Sequence, residues 1–246
     1  MNKSITGIFL FLISLALQAQ VTIGPKAGLN VFTESFQFSG YYNGNQVISR
    51  TPKVGYQIGA VMNIQVHNNF SIRPELLFNQ ISNSTTFGDY YNNSTTINNT
   101  YNYLSIPINF VGTYYLGAGV FNLFIAPQFS IGLGGKYSQQ SDSSATGPGT
   151  FNRQSSESGI LYAQAVPENG GGNSPNWYFN QFNMGLNYGV GYQIEHVLFT
   201  AQFHMGLTST QPHYTDSNSE SNRNNIYSRN NGFTFGLAYL FGNIRR

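Results

Sequence analysis

The sequence predicts an all-β protein: an eight-stranded antiparallel up-and-down transmembrane β-barrel with four long extracellular loops. Three observations carry this. Eight segments alternate apolar and polar residues with a period of two, the repeat of a strand with unlike faces. The connections between them alternate short and long. The polar face is made of Gly, Asn, Gln, Ser and Ala, and charged residues are only 8% of the chain, against about 25% in ordinary soluble domains.

The chain opens with "MNKSITGIFLFLISLALQAQ". Lys3 supplies a basic start, Ile8 to Leu17 an apolar run, and Ala16 and Ala19 small residues for cleavage. Such a run is too short to cross a bilayer as a helix, so residues 1–19 read as a secretory signal peptide. Residues 20–246 form the barrel domain.

The first strand is Ile23 to Val31, with Ile23, Pro25, Ala27, Leu29 and Val31 on its apolar face. The second, Lys53 to Val66, sets Val54, Tyr56, Ile58, Ala60, Met62, Ile64 and Val66 against a polar row in which Val61 is the apolar exception. The third runs from Phe70 to Gln80 and the fourth from Tyr103 to Phe110. The fifth is Phe121 to Gly135, the sixth Phe182 to Ile194, the seventh Val197 to Leu207 and the eighth Gly232 to Phe241. Phe32–Pro52, Ser82–Thr100, Lys136–Tyr178 and Thr208–Asn230 read as long loops. His67–Asn69, Gly112–Gly119 and Glu195–His196 read as short turns. In a meander, alternate connections share one end, so all long loops gather together, as in outer-membrane barrels.

The apolar face is turned to lipid. Small inward residues suit the narrow lumen of about eight strands, which side chains fill. In hydrocarbon every backbone N–H and C=O needs a protein partner, so the sheet must close. Tyr90, Tyr91, Tyr101, Tyr103, Tyr114, Tyr115, Trp177 and Tyr178 lie where strands meet loops and read as interfacial girdles. Pro25, Pro74 and Pro107 lack a ladder donor and are expected near strand ends or bulges.

Other classes are excluded or disfavoured. A net charge of +2 is too small for nucleic-acid binding. With no cysteine there is no disulfide framework and no thiolate metal site. Mean hydropathy is −0.23, so the chain is polar without being charged.

"PELLFNQ" (Pro74–Gln80), "YLSIPINF" (Tyr103–Phe110), "IGPKAGLN" and the closing "GFTFGLAYLF" resemble the PorT-like outer-membrane β-barrels of Bacteroidota, over roughly Val21 to Phe241. The resemblance implies an eight-stranded barrel in the bacterial outer membrane, inserted from the periplasm by the barrel-assembly machinery. Most members have no assigned activity. The name-giving member belongs to a gliding-motility-linked protein secretion apparatus. This chain departs from the pattern at its end, where Phe241 is followed by "GNIRR".

The candidate site is a lumenal polar network of Lys26, Arg73, Glu75, Gln202 and His204, all on inward positions, with Lys53 near a rim. One reading of the charges is a selectivity or proton site in a pore. The other, favoured because charges away from water need partners, is a mutually neutralising plug. His204 lacks a serine and an acid on its strand, so catalysis is not expected. His67, His196 and His213 lack metal-ligand spacing. Asp142, Asp216 and Glu220 read as solvated loop charges. "GLGG" (Gly132–Gly135) and "GGGN" (Gly170–Asn173) do not lie between a strand and a helix, so no dinucleotide site is expected.

The expected function is therefore that of a structural or interaction scaffold. Outer-membrane lipid surrounds it, and protein or glycan partners meet its extracellular loops, among them "FQFSGYYNGN" (Phe36–Asn45). No cofactor, metal or nucleic acid is expected. The alternatives are a narrow channel for ions or small solutes and a lipid-modifying enzyme.

Overall fold

The computed structural model describes residues 20–38, 47–88, 93–144, 152–164, 177–211 and 226–242. They form ten strands: β1 (Gln20–Phe38), β2 (Val47–His67), β3 (Phe70–Gly88), β4 (Ser94–Leu116), β5 (Gly119–Ser144), β6 (Asn152–Ala163), β7 (Trp177–Phe179), β8 (Phe182–Ile194), β9 (Val197–Gly206) and β10 (Ile226–Tyr239).

Eight of these, β1 to β5 and β8 to β10, follow one another round a closed antiparallel ring. β1 pairs with β10 from Lys26↔Ala238 to Phe38↔Ile226, and an isolated bridge, Ile23↔Phe241, extends the seam. No edge in the ring is left open to hydrocarbon.

The outward rows carry Val21, Ile23 and Leu29 on β1, and Phe233, Phe235 and Leu237 on β10, each about half exposed. A contiguous band of this extent fits lipid and not water. Its upper edge is continuous across strands. Val31 pairs with Phe233, and one step higher Thr33 pairs with Asn231. Ile58 pairs with Phe78, and above it Tyr56 pairs with Gln80. On β1 the band runs from Val21 to Val31, the length a tilted strand needs to cross, about 9–11 residues.

The predicted long loops are corrected. Strands continue well into all four of those segments, because Ser, Thr and Asn there pair across the ladder instead of turning it. Ser82 bonds Thr100 at 3.2 Å, Ser84 bonds Asn98 at 2.8 Å and Thr86 bonds Thr96 at 3.0 Å. Asp142 likewise lies in β5 and not in a loop. The predicted turn Gly112–Gly119 shrinks to Gly117 and Ala118, with Gly117 at φ +60°.

β6 and β7 lie outside the ring. β5 switches neighbours, pairing with β8 up to Ile131↔Phe182 and with β6 from Gly135↔Leu161. The switch falls on "GLGG", where Gly134 has φ +112° and the β4 register shifts at Asn102/Tyr103. These glycines serve a bulge. "GGGN" lies outside the described residues.

The proline expectation is also corrected. Pro25 pairs with Ala60, Pro74 with Ile108 and Pro107 with Gln128, all in strand interiors and without a register shift. The β3–β4 ladder skips Glu75 and Leu76 and resumes at Leu77↔Ser105. Flanking pairs hold the register where the missing N–H breaks it.

Candidate functional site: the barrel lumen

Inward alternation carries polar side chains into the lumen at several heights. At the first, Lys26 Nζ donates to Glu75 Oε1 and Oε2 at 2.9 and 2.7 Å, with both side chains almost fully buried. The pair spans β1 to β3 across β2. Gly59, the β2 partner of Lys26, offers no side chain to block it. On the β10 side, a Cβ at Gly236 would stand 3.0 Å from Lys26 Cε. Arg73 is buried nearer the short-turn end. Its Nε donates to Asn63 Oδ1 at 3.2 Å, and its carbonyl accepts from Asn109 at 2.8 Å. Lys53 is exposed at the hairpin-side rim and donates to Asn98 at 2.6 Å.

His204 begins a second group. Its Nδ1 lies 2.6 Å from Asn187 Oδ1, Asn187 donates to Gln128 at 2.8 Å, Gln128 to Ser130 at 3.1 Å, and Ser130 meets Ser105 at 2.8 Å. The chain of bonds crosses β9, β8, β5 and β4. The His204 ring packs on Phe32 at 5.5 Å, and Gln202 is buried two residues below it. No hydroxyl nucleophile is bonded to His204 among the described residues, so the geometry of nucleophilic catalysis is not assembled there. Its bonds are those of a packing residue.

A third group lies above the lipid band, in segments whose composition reads as loop. Glu34 Oε1 accepts from Thr210 at 2.9 Å and from the Ser228 hydroxyl, and Oε2 accepts from Asn83 at 3.2 Å. Burial pushes its carboxyl up to about 7, against the bonds from Thr210 and Asn83 and the charge of Arg50. The signal that finds it is parity: Asn30, Phe32 and Glu34 continue one inward row while Thr33 and Ser35 continue the outward one.

A buried, largely aromatic cap lies beside Glu34: Phe32, Ile81, Tyr101, Tyr103, Tyr137, Leu161 and Phe179. Phe179 meets Tyr101 and Tyr103 edge-on at 5.1 and 5.6 Å. Tyr101 and Tyr103 are thus corrected from girdle to interior. Tyr114 faces outward at the turn end, whereas Tyr115, also exposed, stands on the inward row and lines the turn-end mouth of the lumen. Tyr90 and Tyr91 lie outside the described residues. Val61 is inward and buried with Leu198, Ala238 and Leu240, which fill the lumen lower down.

The remaining histidines stay apart. His67 accepts from the Asn69 backbone, and His196 lies 2.7 Å from the Leu240 carbonyl. His213, Asp216 and Glu220 lie outside the described residues. Among those described, no group of His, Asp and Glu could hold a metal.

A closed antiparallel ring, an apolar outer band and a packed polar interior define a transmembrane β-barrel. The chain belongs to the outer membrane protein beta-barrel domain family, whose model matches residues 18–212. That family places it in the outer membrane. A search of curated proteins returned no match. Among solved structures, the chain is similar to Ail, the attachment invasion locus protein of Yersinia pestis, in complex with the heparin analogue sucrose octasulfate. Identity there is 9%, TM-score 0.34, with 90% of this chain and 99% of that one covered. It is similar to Neisserial surface protein A at 9% identity and TM-score 0.34, over 89% and 97%. It is similar to OprG of Pseudomonas aeruginosa at 11% and 0.41, over 92% and 97%.

Proposed function

We propose that this chain is a filled outer-membrane barrel that acts as a structural and interaction scaffold through its long hairpins. The hairpins stand outside the cell, and the short turns and both termini lie in the periplasm, delivered there by the signal peptide of residues 1–19. The observation that carries the reading is the lumen: a buried ion pair, a four-strand chain of hydrogen bonds and an aromatic cap occupy successive heights. Above the lipid band β3, β4, β5 and β6 continue as a sheet rich in Ser, Thr, Asn and Gln. Such a surface suits adaptable polar recognition of a protein or glycan. An accessory place in a PorT-like secretion or surface system belongs to the proposal on the resemblance of Pro74–Gln80 and Tyr103–Phe110 alone.

The test has two arms. Planar-bilayer recording of the purified barrel is expected to give no steady single-channel current; a reproducible conductance overturns the filled-lumen reading. Co-purification from detergent-solubilised outer membranes is expected to retain a partner that is lost when residues 84–98 and 139–157 are shortened.

A further inference from the structure

We propose that the turn end of the lumen is a binding site for a small oxyanion, a carboxylate or a phosphate, held by Arg73. The structure has a cavity of about 50 Å³ there, lined in part by Arg73, Thr22, Asn63, Ser71, Asn122 and Gln193. That is room for a few waters, at about 10–15 Å³ each, or for one anion of a few heavy atoms. Among the described residues no carboxylate lines it.

The charge balance calls for such a guest. Glu75, the acid nearest in sequence to Arg73, is engaged through both oxygens by Lys26. Arg73 makes no ion pair among the described residues, and its hydrogen bond runs from Nε to a neutral amide. It is nonetheless 2% exposed. A buried guanidinium with four further N–H groups is costly without an acceptor, and a forked oxyanion is the acceptor its geometry fits. A second observation points the same way. The Thr22 hydroxyl, on the cavity wall and 4% exposed, has no hydrogen-bond partner among the described residues. Thr22 and Arg73 would thus close on one anion from β1 and β3. On the orientation proposed above, the anion enters from the periplasm.

Isothermal titration of the full-length mature protein in zwitterionic detergent tests this, with sodium acetate and inorganic phosphate as probes at fixed ionic strength. Saturable binding at one site per barrel is expected, weakened about tenfold or more in Arg73→Gln, the loss of one charge-assisted contact. No saturable binding by the parent protein, or equal binding by Arg73→Gln, overturns the proposal. Should that variant not fold, Thr22→Val decides. It removes an unpaired hydroxyl at near-constant shape, and affinity about threefold or more weaker is expected; unchanged affinity overturns the site. A short-chain phosphatidylglycerol arm separates sources. Binding of inorganic phosphate marks a soluble ligand, binding of the lipid alone marks a headgroup, and binding of neither rejects the shared chemistry.

Discussion

Lys26 and Glu75 meet across an intervening strand, through both carboxylate oxygens, with almost no access to solvent. Glu75→Leu leaves Lys26 buried without its counter-charge, in a lumen that also holds Arg73. A loss of about 3–5 kcal/mol is expected, read as a lower urea midpoint and melting temperature. The double variant Lys26→Met/Glu75→Leu is expected to recover most of it, because a buried pair replaced by apolar residues costs little. An unchanged midpoint in the single variant would sink this account of the pair.

Glu34 makes stability depend on pH in a direction opposite to most carboxylates. Its folded value of about 7 lies above the ordinary 4.5, so the folded state holds a proton that the unfolded chain releases. The associated stability is complete below about pH 4.5 and is lost as pH rises through 7. At most about 3 kcal/mol is involved, at 1.36 kcal/mol per unit. The melting temperature is expected to fall between pH 5 and pH 8, and Glu34→Gln is expected to flatten that slope. A parent curve that rises over the same interval contradicts the burial argument.

The lipid band can be mapped with one cation. Leu237 faces outward and pairs with Ala27 and Phe199, well within the band. Leu237→Arg is expected to cost about 2–4 kcal/mol and Thr33→Arg, above the edge, about 0–1. Equal costs in refolding titrations into lipid vesicles would place the edge elsewhere.

Phe179 belongs to β7, outside the ring, yet its ring fills the space between Tyr101 and Tyr103. Phe179→Ala is expected to cost about 3–5 kcal/mol and to speed limited proteolysis of the β6–β7 segment. A cleavage pattern like the parent's would mean that the cap does not hold that segment.

The ring was legible in the sequence because a period of two persists wherever one face meets lipid, as from Val54 to Val66. It became illegible above the band. There both faces turn polar, and Thr95, Thr96 and Asn98 look like turn residues although they sit in β4. The same loss of contrast hides Glu34 and its partners Asn83, Thr210 and Ser228, which come together because β10, β1, β2 and β3 adjoin round the ring. Residue type alone assigns Tyr101 and Tyr103 to the membrane interface. Parity, which sets them inward with Ser105 and Asn109, was the better guide. The inward positions of Lys26, Arg73 and Glu75 could be read from parity alone. The exclusive pairing of two of them depends on β1, β2 and β3 being neighbours, with Gly59 between.

The seam joins the first strand of the ring to the last, Lys26 to Ala238 and Ile23 to Phe241. Partners separated by more than two hundred positions are brought together only after the whole chain has been delivered. Contacts so distant along the chain make assembly slow. Until residues 226–239 arrive, β1 has a row of unmatched amides that hydrocarbon will not tolerate. The ring therefore closes only once its last strand is in place, and a truncation that removes that strand forfeits the seam.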